Sequence, residues 1–436
     1  MCPHEGSMRV RIHRGTQQIG GTCIELESRG KRIVLDLGLA LDANSATDVG
    51  IPDVEGLTTG QDDTLLGIII SHPHQDHWGK LPLVDPKIPV YIGAAAARIL
   101  RAGIFFGTPG IDLNPTGFLA DGARFEVGPF AITPYLNDHS AYDAYSLLIE
   151  ANGKRVFYTG DIRGHGRKSA LFERLIREPP SDIDVLLMEG TNVPDPGTPA
   201  KTAMTEDDLE SQMVEAFQAS QGMALVSFSA QNIDRLVTVY RAAIRSGREL
   251  VVDLYAATIA KATERRSIPQ PGFEHLRVFV PLAQRVRVKR EKAFERTEWV
   301  KPCRIYPEEL QTRRKQLVML FRTSMIGDVE RAACLEDARL FWSLWPGYLP
   351  KNDTDTLSSF LERNGVPLEI HHTSGHAPLG DLQRLAGAIA AQRIVPIHTF
   401  AGDRFAEFFP RVDRRADGSW WEARAPLGKR SVSVHL

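Results

Sequence analysis

A chain of 436 residues exceeds one ordinary hydrophobic core, so two or three domains are expected. With 43% hydrophobic residues, 24% charged residues and a formal net charge of −2, the composition is globular; it excludes whole-chain basicity, so any polyanion site must be local. The four cysteines, Cys2, Cys23, Cys303 and Cys334, are far apart and form no CxxC pair. That argues against a cysteine zinc site or a disulfide scaffold and favours a reducing compartment. The opening MCPHEGSMRVRIHRG lacks an apolar core of signal-peptide length, and no later run is long enough to span a bilayer. The expected localisation is cytoplasmic.

In chain order, residues 8–12 alternate basic and apolar side chains like a strand, and GTQQIGG (15–21) is a turn. TCIELE (22–27) is a second strand, and 32–37 a third that places Asp36 at its end. Residues 42–63 are polar and Gly-rich, a long loop. The apolar run 65–70 then leads into Ser71-His72-Pro73-His74-Gln75-Asp76-His77-Trp78-Gly79. His72 and His74 alternate, so in extended backbone they share a side, and Gly79 permits the chain to turn. Three imidazoles and a carboxylate at one strand end suit zinc or a similar divalent ion, and outweigh an incidental polar loop.

A strand at 89–92, a helix at 94–102 and strands at 125–134, 145–150, 154–158 and 184–188 follow. Several of these finish in His, Asp or Glu: Asp138-His139, Asp161 and Glu189. The Pro/Gly-rich residues 192–202 mark a boundary, and Thr205 followed by acids starts a helix as its N-cap. Helix and strand then alternate (209–221, 224–228, 233–246, 250–254), the pattern of an α/β unit with a parallel sheet. Residues 285–315 hold eleven Lys/Arg against five Glu, which reads as a solvated face with internal pairing. A strand at 316–321 and a strand–helix–strand set at 369–372, 382–392 and 394–397 complete the chain, the last ending at His398.

The HxHxDH cluster, His139, Asp161 and His398, in that order, resemble the metallo-β-lactamase superfamily. The resemblance implies an αβ/βα sandwich with a dinuclear site at its edge: His72, His74 and His139 on one ion, Asp76, His77 and His398 on the other, Asp161 bridging, and Asp36 supporting the ligand loop. More than two hundred residues separate Asp161 from His398. Within them, FSAQN (228–232) with Arg235 is similar to the FSxxN…R helix start of the β-CASP nucleases. His372-Thr373-Ser374-Gly375-His376-Ala377 is similar to their HxSGHA motif and Pro396-Ile397-His398 to their PxH motif; Asp253 fits their first inserted motif, and Glu189-Gly190-Thr191 the strand that exits the first lobe. The resemblance is nearest to the ribonuclease J and polyadenylation-cleavage-factor branch. Two departures are visible: Thr399-Phe400 stands where Gly-Glu is common, and the sequence stops at Leu436, short of the C-terminal domain of ribonuclease J.

The implied fold class is α/β: a metallo-β-lactamase sandwich (residues 1–200 and 365–436) with an inserted β-CASP α/β domain (201–364). The implied activity is metal-dependent phosphodiester hydrolysis, most simply of single-stranded RNA, by endo- or 5′-exonucleolytic cleavage. Two divalent ions, zinc with manganese or magnesium as alternatives, would supply an activated water and grip the phosphoryl oxygens, so no side-chain nucleophile is needed. His376 is the candidate for protonating the leaving oxygen, with Asp76 beside it in the catalytic set. Ser227, Ser229, Asn232, Arg235, Thr373, Ser374, Gly375 and His376 are the expected phosphate contacts, with Arg163, His165 and Arg167 as further ones. The rivals are a small-molecule thioester or lactam hydrolase, which leaves the insert unused, a DNA nuclease, and a scaffold without catalysis, which has no chemical need for seven ligands.

Overall fold

A computed structural model describes residues 7–41, 43, 50–194, 197–198, 203–349 and 356–423. Parts of the expected 42–63 loop and 192–202 boundary lie outside them. Three sheets organise these residues. The first contains β1 (Arg9–Arg14), β2 (Cys23–Ser28), β3 (Lys31–Leu35), β4 (Leu65–Ile69), β5 (Val90–Gly93) and β6 (Gly117–Leu119), with Trp420–Glu422 paired outside β1. Strands β1 to β3 form an antiparallel meander, whereas β3 to β6 run parallel. The second contains β7 (Phe125–Val127), β8 (Phe130–Leu136), β9 (Tyr145–Ala151), β10 (Lys154–Tyr158) and β11 (Val185–Glu189), closed by Ile394–Ile397. The third is wholly parallel: β12 (Ala224–Ser227), β13 (Glu249–Asp253), β14 (Leu276–Phe279), β15 (Leu317–Leu320), β16 (Arg339–Trp342) and β17 (Leu368–Ile370), in the spatial order β14-β13-β15-β12-β16-β17. Two late strands, β18 (Ile394–Ile397) and β19 (Trp420–Glu422), thus return to the second and first sheets.

The alternation in β1, β2 and β8 puts one apolar face of each sheet inward. Val10, Ile12, Ile24 and Leu26 from the first sheet share one core with Ile132, Leu147, Val156, Val185 and Val395 from the second. On the outer face of the first sheet, Ile68 and Ile92 pack with Ala96, Ala97 and Leu100 of the helix Ala94–Ile104. On the outer face of the second, Phe157, Leu186 and Met188 pack with the helices Ser169–Arg177 and Leu379–Ile389. The result is the αβ/βα sandwich expected. The third sheet is covered on both faces, as a parallel sheet must be, by separate cores. Its edge strand β17 lies just past the position, 364, where the expected insert ends.

Strand direction decides where the polar ends go. β10, β11 and β18 are mutually parallel, so Asp161, Glu189 and His398 all follow C-terminal ends on one edge. β3 and β4 are parallel in the facing sheet, which brings Asp36 beside Ser71 and His72. Parallel sheets carry their ligands at these carboxyl ends.

Among the described residues no helix is long and apolar enough to cross a membrane. Cys23, Cys303 and Cys334 are buried free thiols.

Candidate metal centre

Two groups of potential ligand atoms form at this edge, each within 4.8 Å of one another: His72, His74, His139 and Asp161, and Asp76, His77, Asp161 and His398. Asp161 sits between them. Its Oδ2 lies 3.1 Å from His77 Nε2, 3.6 Å from His72 Nε2 and 3.9 Å from His139 Nε2, and its Oδ1 3.7 Å from His398 Nδ1. His398 Nε2 lies 3.6 Å from Asp76 Oδ2. A third group, Asp161, Glu189 and His376, abuts them. The seven residues singled out in the sequence are brought together.

Neighbouring side chains fix three of the five rings. Asp36 is fully buried in a left-handed backbone conformation (φ 56) and takes four hydrogen bonds. They come from the Ser71 amide and hydroxyl, the Tyr158 hydroxyl and His77 Nδ1, the last at 2.7 Å. With Nδ1 so engaged, His77 turns Nε2 toward Asp161. Ser71 Oγ is 3.0 Å from His72 Nδ1, and Thr22 Oγ1 is 2.9 Å from His398 Nδ1, which leaves each Nε2 facing inward. His398 is also left-handed (φ 49), and such positions persist only where surroundings over-determine them.

Burial sets the charge state. It lowers the pKa of His72, His139 and His398, and brings His74 down to about 4, favouring the neutral imidazole that ligates metal. Burial also opposes charge on His77, but Asp161, Asp76 and Asp36 together overcome it and raise its pKa. Asp161 is held well below the usual carboxylate range: burial opposes this, and His398, His77 and His376 outweigh it.

The donors fit a cation. His72 Nε2, His398 Nε2 and Asp161 Oδ1 are buried without a hydrogen-bond partner in the protein. Each such group costs about 1–3 kcal/mol unless something else satisfies it. Nitrogen and carboxylate donors in this number are those that divalent transition ions take.

A profile described as "Beta-lactamase superfamily domain" matches residues 55–228. With the relatives that follow, this match makes the chain similar to the metallo-β-lactamase superfamily and to its β-CASP, ribonuclease J-like branch. It is 23% identical over 256 residues to "Ribonuclease J" of Mycobacterium tuberculosis, covering 56% of this chain and 44% of that protein. It is 22% identical over 415 residues to "Ribonuclease J" of Mycolicibacterium smegmatis, covering 90% of this chain and 69% of that one. The match thus spans under half the length of the first of these relatives. The crystal structure of a protein of unknown function from Enterococcus faecalis V583 superposes with a TM-score of 0.77 at 20% identity, over 95% of this chain and all of that one. Divalent-metal use is implied by the similarity to the superfamily, and this chain presents a His/Asp cluster able to bind such ions.

The β-CASP motifs surround the cluster unevenly. His376 Nδ1 is 3.2 Å from Glu189 Oε2, and its ring lies 5.2 Å from His139 and 5.7 Å from His398. Burial opposes charge on His376, but Glu189, Asp161 and Asp76 push its pKa up to about 9. Glu189 is fully buried and also accepts from the Ile162 amide. Glu189 ends β11, the strand expected to leave the first lobe, and its place beside β18 brings it to His376. Asp253, matched instead to an inserted motif, caps the helix Leu254–Ala262 and holds Gln284 and Arg322, away from the cluster.

Seven expected phosphate contacts need correction, because their polar groups are taken by partners within the protein. Arg235 is fully buried, and its guanidinium is taken by Glu206, Ser343 and the Thr373 carbonyl. Arg163 is fully buried between Asp138, Asp234, Glu206 and the Ser374 carbonyl. His165 bonds the Ser374 carbonyl, and Arg167 pairs with Glu210 and Asp207. These bases tie the third sheet's helices to the metal-site loops, a placement that residue type alone could not give. Ser227 is buried and donates to the Phe321 carbonyl, and Thr373 is buried and donates to the Met204 carbonyl. Asn232 is the N-cap of Ile233–Arg245, accepting from the Arg235 amide. Ser229 is exposed, and Ser374 accepts from Asn192 and the His376 amide. Gly375 crosses so near Ser140 that a Cβ would lie 2.4 Å from its Oγ and 3.5 Å from His139 Cε1, so a larger residue here would have to displace the serine hydroxyl. Of the substituted pair after His398, Thr399 is buried and donates to the Gly190 carbonyl, while Phe400 is exposed.

Proposed function

We propose that this protein is a metal-dependent nuclease that hydrolyses phosphodiester bonds in single-stranded RNA, acting in the cytoplasm. The observation that carries the reading is the pair of ligand groups sharing Asp161, with His376 held over both by Glu189. It is supported by relatives named Ribonuclease J. Residues 1–200 and the return after β17 would form the catalytic lobe, and the segment from 201 through β17 the insert that completes the substrate cleft.

His72, His74 and His139 would hold one ion, zinc or manganese, and Asp76, His77 and His398 a second, with Asp161 shared. Bound there, divalent ions neutralise phosphoryl charge and provide an activated water near neutral pH. The protein's own residues do the rest. Asp36, Ser71 and Thr22 hold the imidazoles of His77, His72 and His398 in the ligating tautomer. Glu189 accepts from His376 Nδ1, which orients that ring so that its other nitrogen can deliver a proton to the departing oxygen. Its side chain is 21% exposed, enough to meet a substrate. Ser229, Ser374 and the Gly375 backbone remain the phosphate-facing donors, contacts that carry little sequence preference.

The test is cleavage of end-labelled single-stranded RNA bearing a 5′-phosphate or a 5′-hydroxyl, with a DNA strand of the same sequence alongside. RNA cleavage that needs added zinc or manganese and stops on chelation is expected, and the product lengths distinguish endonucleolytic from 5′-exonucleolytic action. Metal-loaded protein that leaves both RNAs intact overturns the reading; preference for the DNA strand overturns the substrate assignment.

A further inference from the structure

We propose that Trp345 and Tyr348 form a stacking platform for a nucleobase at the mouth of the metal centre. This rests on the nuclease reading and adds to it a substrate subsite. Both rings are largely exposed, at 59% and 62%, yet the loop that carries them is tightly built. Leu344 and Leu349, flanking the pair, pack against the core beneath the third sheet. The Tyr348 amide donates to the Trp345 carbonyl at 3.0 Å, the Leu349 amide to the Pro346 carbonyl at 3.0 Å, and Trp342 Nε1 to the Trp345 carbonyl at 3.4 Å. A Cβ at Gly347 would come within 2.2 Å of the Trp345 indole, so the ring lies directly over that glycine. The two leucines do the burying, so the aromatics are not needed to hold the loop down.

Position points to the substrate. The loop leaves the C-terminal end of β16, where the Ser343 amide donates to the Ser227 carbonyl. Ser343 Oγ donates to the His371 carbonyl, and Arg235 joins Ser343 to the Thr373 carbonyl, three residues before His376. At its far end the Tyr348 hydroxyl comes within electrostatic reach of Asp76, a member of the second ligand group. The rings meet at 5.3 Å and 87°, an edge-to-face corner with open π surface. Two side chains exposed to this degree offer roughly 200–300 Å², well short of the roughly 800 Å² per partner that a stable protein interface needs. A flat, sequence-tolerant aromatic surface beside a phosphodiester-cleaving centre suits one base of a single strand.

The experiment uses the metal-loaded full chain with Trp345→Ala, Tyr348→Ala and Trp345→Phe. Its substrates are a short 5′-phosphorylated oligoadenylate, a series of the same oligomer with a single abasic position, and bis(p-nitrophenyl) phosphate. Each alanine variant is expected to raise KM for oligoadenylate by about 5- to 100-fold, with kcat held within about twofold. Trp345→Phe should keep most of the affinity. Turnover of bis(p-nitrophenyl) phosphate should not change, and one abasic position should give the unsubstituted protein the same raised KM. Unchanged KM in both alanine variants of a protein that cleaves oligoadenylate overturns the platform and leaves the nuclease reading intact. An equal loss on bis(p-nitrophenyl) phosphate, or a dimer that Trp345→Ala dissociates without changing KM, also overturns it. Should the alanine variants not fold, an abasic series indistinguishable from oligoadenylate overturns it on the unsubstituted protein alone. If that protein cleaves no oligonucleotide, both readings fall.

Discussion

Arg163 offers the sharpest test of how the third sheet is coupled to the metal centre. It stands two residues after Asp161, is fully buried, and donates to Asp234 Oδ2 at 2.6 Å and to the Ser374 carbonyl at 2.9 Å, with Asp138 and Glu206 each 3.5 Å away. Arg163→Met keeps much of the volume and removes the charge, leaving buried carboxylates short of a partner. Breaking a buried pair from one side costs about 3–5 kcal/mol. Here Lys168 still reaches Asp234 at 2.7 Å and Arg235 still reaches Glu206 at 3.1 Å, which places the loss near the lower end, about 3 kcal/mol. For a lobe of ordinary size that lowers the melting midpoint by roughly 6–12 °C. The assay is thermal unfolding with Arg384→Met as control, since Arg384 pairs with Glu173 at the surface and should cost under about 1 kcal/mol. A midpoint for Arg163→Met within about 1 °C of the unsubstituted protein, or equal losses in both variants, would refute the reasoning.

Other expectations follow from the same geometry. Asp161→Ala removes the acid common to both ligand groups and should abolish bound metal, measured by elemental analysis, while circular dichroism shows the fold retained; full metal content would remove Asp161 from the site. His376→Ala should keep metal and lose about 10²- to 10⁴-fold in kcat, and Glu189→Gln should lower kcat as well; unchanged turnover in His376→Ala would take it out of the mechanism. For Glu206, burial opposes the charge but Arg235 and Arg163 bring its pKa down to about 2 from 4.5. Because the folded value is depressed, its contribution, about 3 kcal/mol, is present above pH 4.5 and lost as pH falls toward 2. The difference in urea midpoint between the unsubstituted protein and Glu206→Gln should therefore shrink between pH 7 and pH 3; a gap that stays constant would contradict that.

The sequence alone determined the candidate ligand set. Residues 72–77, His139, Asp161 and His398 are recognisable because ligating side chains at strand ends leave a local pattern, and strand ends are set by apolar runs and turn residues. The same local signals marked the sandwich strands and Thr205 as a helix N-cap, which the structure completes as a capping box with Asp208. Arg163, Arg235, Arg167 and Ser227 carry the residue types of phosphate contacts. Whether such a group faces a cleft or a buried carboxylate depends on acids 25 to 71 positions away along the chain, such as Asp138, Glu206 and Asp234. Glu189 and Tyr158 likewise acquired their partners through the parallel pairing of β10, β11 and β18 and the packing of one sheet on the other. A local pattern can specify which atoms are offered. Only the register of the sheets decides what each atom meets, because register is a property of pairs of strands.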